Sequence, residues 1–497
     1  MADDKKESTQ NLGSKLMSGS VWMIAMRWSM RLLGLVSTAI LARLLTPEDF
    51  GLVAMSAIAV GFIEVFSQLG VELALIRHPN PQRRHYDTAW TFNILTGLFL
   101  GAVMVLVAPY AAAYFGEPRV EPVLWVLALA PLIKGAVNIG TVDFRKDLQF
   151  SKDFKFNFIP RIAAFFTTIT LALVFRNYWA LVIGTMMHGV YMLIVSFIIH
   201  PYRPWFSLQE HRSLLPSSFW VVVKTMGDFV IAKLDQIIVV RSLGTEATGI
   251  YYLSAEISRI ATFSTILPIG RALHPGYVKL IDEPERLASA YLKVFAFIVT
   301  VAASIGFGLS AVSKDFIAVV LGSQWSTVVP VIEILAVSQA AMAISISVSP
   351  LLQAAGNFRG WAMLIWMIAF VLVCALMIGV AYGGLMAIAW AHLGGSSVVM
   401  FLTVLVSANL LSTSYWRVFR VMIRPLLASA IMYVTVVYLH LDSLDLPAVT
   451  LILDMAVGMV SFGVALLGLW FVSGLPDGME SDILERLKIR VPKRSLA

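Results

Sequence analysis

The sequence predicts an all-α polytopic membrane protein of about fourteen transmembrane helices, arranged as two parallel six-helix lobes around a central cavity plus two extra C-terminal helices. Three observations predict it. Of 497 residues, 59% are apolar and 13% charged, where soluble proteins carry about 45–50% and about 25%. Apolar runs of bilayer-spanning length, about 20 residues, recur along the whole chain. Lysine and arginine collect on alternate sides of those runs, as the positive bias of cytoplasmic loops requires. The 33 glycines and 20 prolines are ordinary shares, which excludes collagenous and low-complexity chains.

Taken in order, six spans are expected at residues 18–45, 51–69, 88–115, 120–141, 158–175 and 178–200. A polar stretch at 201–216, with Trp205, Glu210, His211 and Arg212, separates them from six more at 217–243, 248–270, 290–312, 327–352, 360–382 and 384–411. Two others follow at 421–441 and 447–473. The chain thus divides into an N-terminal segment 1–17, a first lobe 18–200, a linker 201–216, a second lobe 217–411, an added helix pair within 412–474 and a tail 475–497. Residues 1–15 are polar and the first apolar run is long and followed by others, so no cleavable signal peptide is expected. The single cysteine, Cys374, forms no intrachain disulfide and reads as a small core-filling residue.

Charge placement tests the count. With the N-terminus inside, 24 of the 37 lysines and arginines fall on the cytoplasmic side, 5 outside and 8 within spans. A missed helix would invert the bias beyond it, so both termini are expected in the cytoplasm. The net charge of +7 therefore marks topology and leaves no solvated basic surface for nucleic acid. External loops are too short to host a catalytic constellation, and no Gly-rich phosphate loop is present. No nucleophile has an adjacent base and no metal-ligand spacing occurs. The expectation is a transporter rather than an enzyme, without a cofactor.

An internal repeat supports that reading. A shift of 198 residues pairs Ser20 with Ser218, Trp22 with Trp220, Arg43 with Arg241, Leu45 with Leu243, Glu48 with Glu246, Gly51 with Gly249, Ser56 with Ser254 and Ala57 with Ala255. The shift covers six spans, an even number, so both copies enter the membrane in the same orientation. Parallel repeats related by an axis along the membrane normal are a transporter design. They leave a cavity between two lobes that rocking opens to either side.

The same residues carry a family resemblance. The stretches Ser18-Gly19-Ser20-Val21-Trp22, Ala42-Arg43-Leu44-Leu45-Thr46-Pro47-Glu48-Asp49-Phe50-Gly51-Leu52 and Gln68-Leu69-Gly70 resemble the start of Wzx-type polysaccharide transporters, members of the multidrug/oligosaccharidyl-lipid/polysaccharide (MOP) exporter superfamily. Val240-Arg241-Ser242-Leu243-Gly244 and His274-Pro275-Gly276-Tyr277 resemble second-lobe counterparts, and the fourteen-span plan matches over residues 15–475. The resemblance implies a flippase that moves an undecaprenyl-diphosphate-linked oligosaccharide across a bacterial inner membrane for exopolysaccharide, capsule or O-antigen assembly. It implies as partners the lipid-linked substrate, membrane lipids, and the polymerase and chain-length machinery. A lipid II flippase or a drug/cation antiporter of the same superfamily is the alternative within transport, and a polysaccharide polymerase or ligase the alternative outside it.

Charges inside spans are costly and face cavities or one another, which makes each a functional candidate. Arg27 and Arg31 are four apart and lie about 40° apart on one helical face. With Lys134 and Arg161 they give the first lobe four cations against Glu64, which is placed to neutralise one of the arginines. A cavity of that sign suits a diphosphate, for which guanidinium offers a planar fork of donors. Lys224 and Arg259 extend the cationic set in the second lobe, beside Asp228 and Glu256 at ion-pair spacing, whereas Lys233 points away from Lys224. Asp228, Asp235, Glu256 and Glu333 are candidates for coupling transport to a proton or sodium gradient, since a buried carboxylate can load and release a cation. His188 and His392 read as helix-packing residues, Trp22, Trp220 and Trp416 as interface anchors, and Trp325 as a sugar contact at the external mouth.

Overall fold

The computed structural model describes residues 29–65, 75, 81–147, 149–210, 219–440 and 446–473, all helix and connection with no strand among them. In chain order the helices are α1 (29–44), α2 (Pro47–Val65), α3 (Arg83–Phe115), α4 (Val120–Leu127), α5 (Leu129–Ala136), α6 (Phe150–Phe175) and α7 (Trp179–Ile199). They continue with α8 (Phe219–Leu280), α9 (Pro284–Ala311), α10 (Ser313–Val320), α11 (Val329–Ser345), α12 (Ser349–Ala354), α13 (Phe358–Tyr382), α14 (Leu385–Leu410), α15 (Tyr415–Leu439) and α16 (Pro447–Val472).

Among the described residues nine helices are long and apolar enough to cross a membrane, ten if the bent pair Val120–Ala136 and Ile139–Lys146 forms one span. The described parts of the expected spans are largely helical, and of the helices described over eighteen residues or more α2 and α8 lie outside that set. The reason lies in their residues. α2 carries Glu48, Asp49 and Glu64, and α8 carries Lys224, Asp228, Lys233, Asp235, Glu256 and Arg259. The helices least suited to lipid are those that hold the intramembrane charges. The expected break at 244–247 falls at Gly244, where φ 81° and ψ −171° interrupt the helical path, so α8 is two helices joined at a sharp kink.

The chain forms two compact units, Met1–Phe219 with Gly244–Gly249, and Trp220–Leu243 with Ile250–Ala497. Inside the first unit the two repeat-matched glycines meet reciprocally. A Cβ at Gly51 would lie 2.0 Å from the carbonyl oxygen of Thr245, and a Cβ at Gly249 would lie 1.7 Å from that of Pro47. The same 198-residue shift that matches Gly51 to Gly249 matches Pro47 to Thr245, so each copy presents a glycine to the other's backbone. Only hydrogen fits at either position.

The first part of the expected linker is docked rather than loose. Asp87 of α3, 8% exposed, accepts hydrogen bonds from the Tyr202 hydroxyl at 2.7 Å and the Trp205 amide at 2.8 Å. The Ser207 amide donates to Thr91 Oγ1 at 2.9 Å, and Arg84 pairs with Glu210 at 2.9 Å. Burial beside Asp87 pushes the Tyr202 phenol up from its ordinary range. His211 and Arg212 lie outside the described residues.

In the second unit the largest buried cluster joins Tyr291, Phe295 and Val299 of α9 to Ala340 and Ile344 of α11 and to Val418 and Met422 of α15. α11 is apolar and buried on nearly every face, as expected of a helix hydrophobic all round. α16 does the opposite: Ile452, Met459, Val460, Val464 and Phe471 are exposed along its length. Contiguous exposed apolar surface of this kind is a lipid-facing surface. Cys374 is exposed on α13, which corrects the expectation of a core-filling residue; a run apolar enough to cross lipid gives no signal of which face turns inward.

Candidate functional site

In the first unit a cavity of about 190 Å³ opens between α1, α6 and α7, with Ser37, Arg161, Thr168, Thr185 and His188 in its lining. Arg161 follows Pro160, which breaks the hydrogen-bond ladder of α6. Its guanidinium reaches α1, where a Cβ at Gly34 would be 3.9 Å from Nη2. Arg31 stands one turn earlier on α1. His188 Nδ1 is buried with no hydrogen-bond partner among the described residues, so this cavity holds a polar group whose bonding capacity is unused. Lys134 lies 3.5 Å from Glu64 as an ion pair, so one of the expected first-lobe cations has a carboxylate beside it. Arg27 lies outside the described residues.

In the second unit a larger cavity, about 330 Å³, is lined by Asp228, Lys233, Asp235, Glu256, Arg259 and His392 among others. α8 supplies the first five from both sides of its bend and α14 supplies the histidine. Lys224 forms an ion pair with Asp228 and lies 4.6 Å from the Trp361 ring centroid. Arg259 pairs with Glu256 at 2.7 Å. These two cations are therefore locally neutralised. Lys233 instead donates to Gln236 Oε1 at 3.2 Å and lines the same cavity as Asp228, although on α8 it projects away from Lys224.

Asp235 is the most enclosed of the coupling candidates, 6% exposed. Its Oδ1 accepts the Gln236 amide at 2.8 Å, and its Oδ2 stands 3.9 Å from His392 Nε2. The other imidazole nitrogen is 2.6 Å from Ser338 Oγ, which lies 2.8 Å from Ser396 Oγ. His392 is thus a buried, hydrogen-bonded residue between helices, with a carboxylate near its other nitrogen. Glu333 lies apart from this cavity, its carboxylate accepting from Ser313 at 3.4 Å. Trp325 is fully buried and cannot touch a sugar at the external mouth, because the stretch that reads as an external loop folds back as α10 and a 3-10 turn.

One grouping escaped sequence spacing altogether. Asp315, His440 and Asp454 converge in the second unit, although 125 residues separate the first two.

Many long apolar helices, some carrying charges, define a multi-pass membrane protein, and solved structures agree on the fold. The lipid II flippase MurJ in an inward closed conformation matches with a TM-score of 0.66 at 13% identity, covering 95% of this chain and 100% of that one. An inward-facing multidrug resistance MATE family transporter of the MOP superfamily matches with 0.57 at 14% identity, covering 78% and 98%. The chain belongs to the polysaccharide biosynthesis protein family, whose model matches residues 40–330. The succinoglycan biosynthesis transport protein ExoT of Rhizobium meliloti (strain 1021) is 24% identical over 448 residues, 87% of each chain. The lipopolysaccharide biosynthesis protein WzxC of Escherichia coli (strain K12) is 23% identical over 335 residues, 66% of this chain and 67% of that one. The resemblance to polysaccharide transporters read from the sequence thus holds at the level of this family, and the solved structures share its fold.

Proposed function

We propose that this chain is a flippase that carries undecaprenyl-diphosphate-linked oligosaccharide repeat units from the cytoplasmic to the outer leaflet of a bacterial inner membrane, by alternating access and without a catalytic step. Its product feeds exopolysaccharide, capsule or O-antigen assembly, where a polymerase and chain-length machinery take it up. Both termini are cytoplasmic in this reading, in keeping with the distribution of lysine and arginine. Family membership supports the polysaccharide class. The observation that carries the diphosphate is Arg161 reaching across to α1, one turn from Arg31, at a cavity with unused polar capacity. A guanidinium fork binds phosphate oxygens in two parallel hydrogen bonds, and in a site poor in water such contacts count for more than in solution. The drug/cation alternative calls for an anionic cavity, which these arginines oppose.

Cycling needs the empty carrier to return. Asp235, beside His392 in the second cavity, is our candidate for loading a proton or sodium ion from the gradient, with Asp228 and Glu256 lining the same cavity.

The test is polymer export in cells that depend on this chain. Arg31→Ala with Arg161→Ala should reduce export at least tenfold at unchanged protein level in the membrane. The matching lysine pair, which keeps charge but loses the fork, should restore only part of it. Wild-type export from the double alanine variant would sink the diphosphate assignment.

A further inference from the structure

We propose that Asp315, His440 and Asp454 form a binding site for one divalent transition-metal ion, of the Zn²⁺ or Mn²⁺ class, which fastens the added helix pair α15–α16 to α10. The proposal does not depend on the transported substrate. Asp315 sits in the first turn of α10, His440 directly follows α15, and Asp454 is two turns into α16. His440 Nδ1 is 2.7 Å from Asp454 Oδ2 and 3.8 Å from Asp315 Oδ2. The three donor atoms all lie within 4.8 Å of one another.

Those separations suit a metal. Zinc binds imidazole nitrogen at about 2.0–2.1 Å and carboxylate oxygen at about 2.0–2.2 Å, so tetrahedral ligands stand about 3.4 Å apart. The distances of 2.7 and 3.8 Å fall on either side of that value. Small side-chain rotations would open the first and close the second. Donor chemistry narrows the choice. Magnesium and calcium prefer all-oxygen shells of six or more ligands. One imidazole with two carboxylates suits zinc, manganese, cobalt or nickel.

Burial points the same way. Asp315 and Asp454 are 8% and 5% exposed, so both carboxylates stand in surroundings where a bound cation would be shielded from water. The His440 side chain keeps 20% of its exposure, which leaves a route for the ion and room for a water in the fourth position. Because the three ligands come from three elements, the ion would cross-link them. α16 otherwise presents mainly apolar surface outward.

The experiment uses the full-length chain without an affinity tag, purified in detergent and stripped with a chelator. It is then equilibrated with zinc or manganese chloride and desalted, and bound metal and thermal unfolding are measured. Wild type should retain about one equivalent and unfold at higher temperature with metal than without. Asp454→Asn and His440→Ala should each lower retention at least tenfold and abolish the thermal shift. His274→Ala, elsewhere in the chain, should behave as wild type. If Asp454→Asn fails to fold, His440→Ala at the partly exposed end of α15 decides. Wild type retaining no more metal than the two ligand variants would overturn the site and leave a hydrogen-bonded triad, with adventitious binding at other histidines.

Discussion

Replacing Asp87 with alanine should release the docked segment 201–210 from α3. The carboxylate accepts two hydrogen bonds from that segment, from the Tyr202 hydroxyl at 2.7 Å and the Trp205 amide at 2.8 Å. Hydrogen bonds to a charged group contribute about 1.5–3 kcal/mol each. Trp205 is largely exposed, so water replaces part of what its amide loses, and the net cost of opening the segment is about 3 kcal/mol at most. That corresponds to about a hundredfold rise in the open population, since about 1.4 kcal/mol is a factor of ten. Chymotrypsin cleavage after Tyr202, Trp205 or Phe206 reads this population when reclosing is fast. Asp87→Ala should therefore speed cleavage there up to about a hundredfold, and Tyr202→Phe about tenfold. Adding Tyr202→Phe to Asp87→Ala should cost less than Tyr202→Phe alone, because only the 3.2 Å contact of its hydroxyl with the Arg83 carbonyl then remains. Cleavage of Asp87→Ala at the wild-type rate, or additive effects of the two changes, would refute the assignment of Asp87 as the anchor.

Three other expectations follow from the geometry. Gly249→Ala should destabilise the purified protein by about 3 kcal/mol or more, because its Cβ would meet a backbone carbonyl that cannot retreat; Gly394→Ala, with open space around its Cβ, should leave unfolding unchanged, and equal unfolding curves for the two would contradict the close approach. Arg119 donates to Glu117 and holds its carboxyl below the ordinary 4.5, with Thr245 also donating to it. A depressed carboxyl stabilises the fold above its unfolded pKa and loses that contribution as pH falls through the folded one. Thermal stability of wild type should thus fall more steeply below about pH 4.5 than that of Glu117→Gln, and parallel pH curves would remove the pair from the account. Asp235→Asn should abolish the dependence of polymer export on the ion gradient while leaving the protein folded, and gradient-driven export at the wild-type level would exclude Asp235 as the coupling residue.

What the sequence made legible is what depends on runs along one chain. Hydropathy located the helices, and the cost of intramembrane charge singled out Arg161, Asp235 and Arg259 before any contact was known. Pairing across helices was not legible, because it depends on rotation and depth. Glu64 could be assigned to the first lobe but not to Lys134, which is 70 residues away. The matched Gly51 and Gly249 stood out as a repeat, yet nothing local says that two matched glycines touch. His392 read as a hydrogen-bonded packing residue, but its partners, Asp235 and Ser338, belong to other helices and could not be named. Trp325 read as an external contact because a short polar stretch between spans carries no sign that it folds inward. The triad of Asp315, His440 and Asp454 follows the same rule on a larger scale, with no spacing to announce it.

The central claim is tested most directly by reconstituting the purified chain in proteoliposomes with a fluorescent undecaprenyl-diphosphate oligosaccharide, then following its exposure to a membrane-impermeant quencher under an imposed ion gradient. The account predicts protein-dependent movement of the lipid-linked sugar between leaflets, lost with Arg31→Ala and Arg161→Ala together. Gradient-driven movement of an organic cation by the same vesicles, with the lipid-linked sugar left in its leaflet, would contradict it.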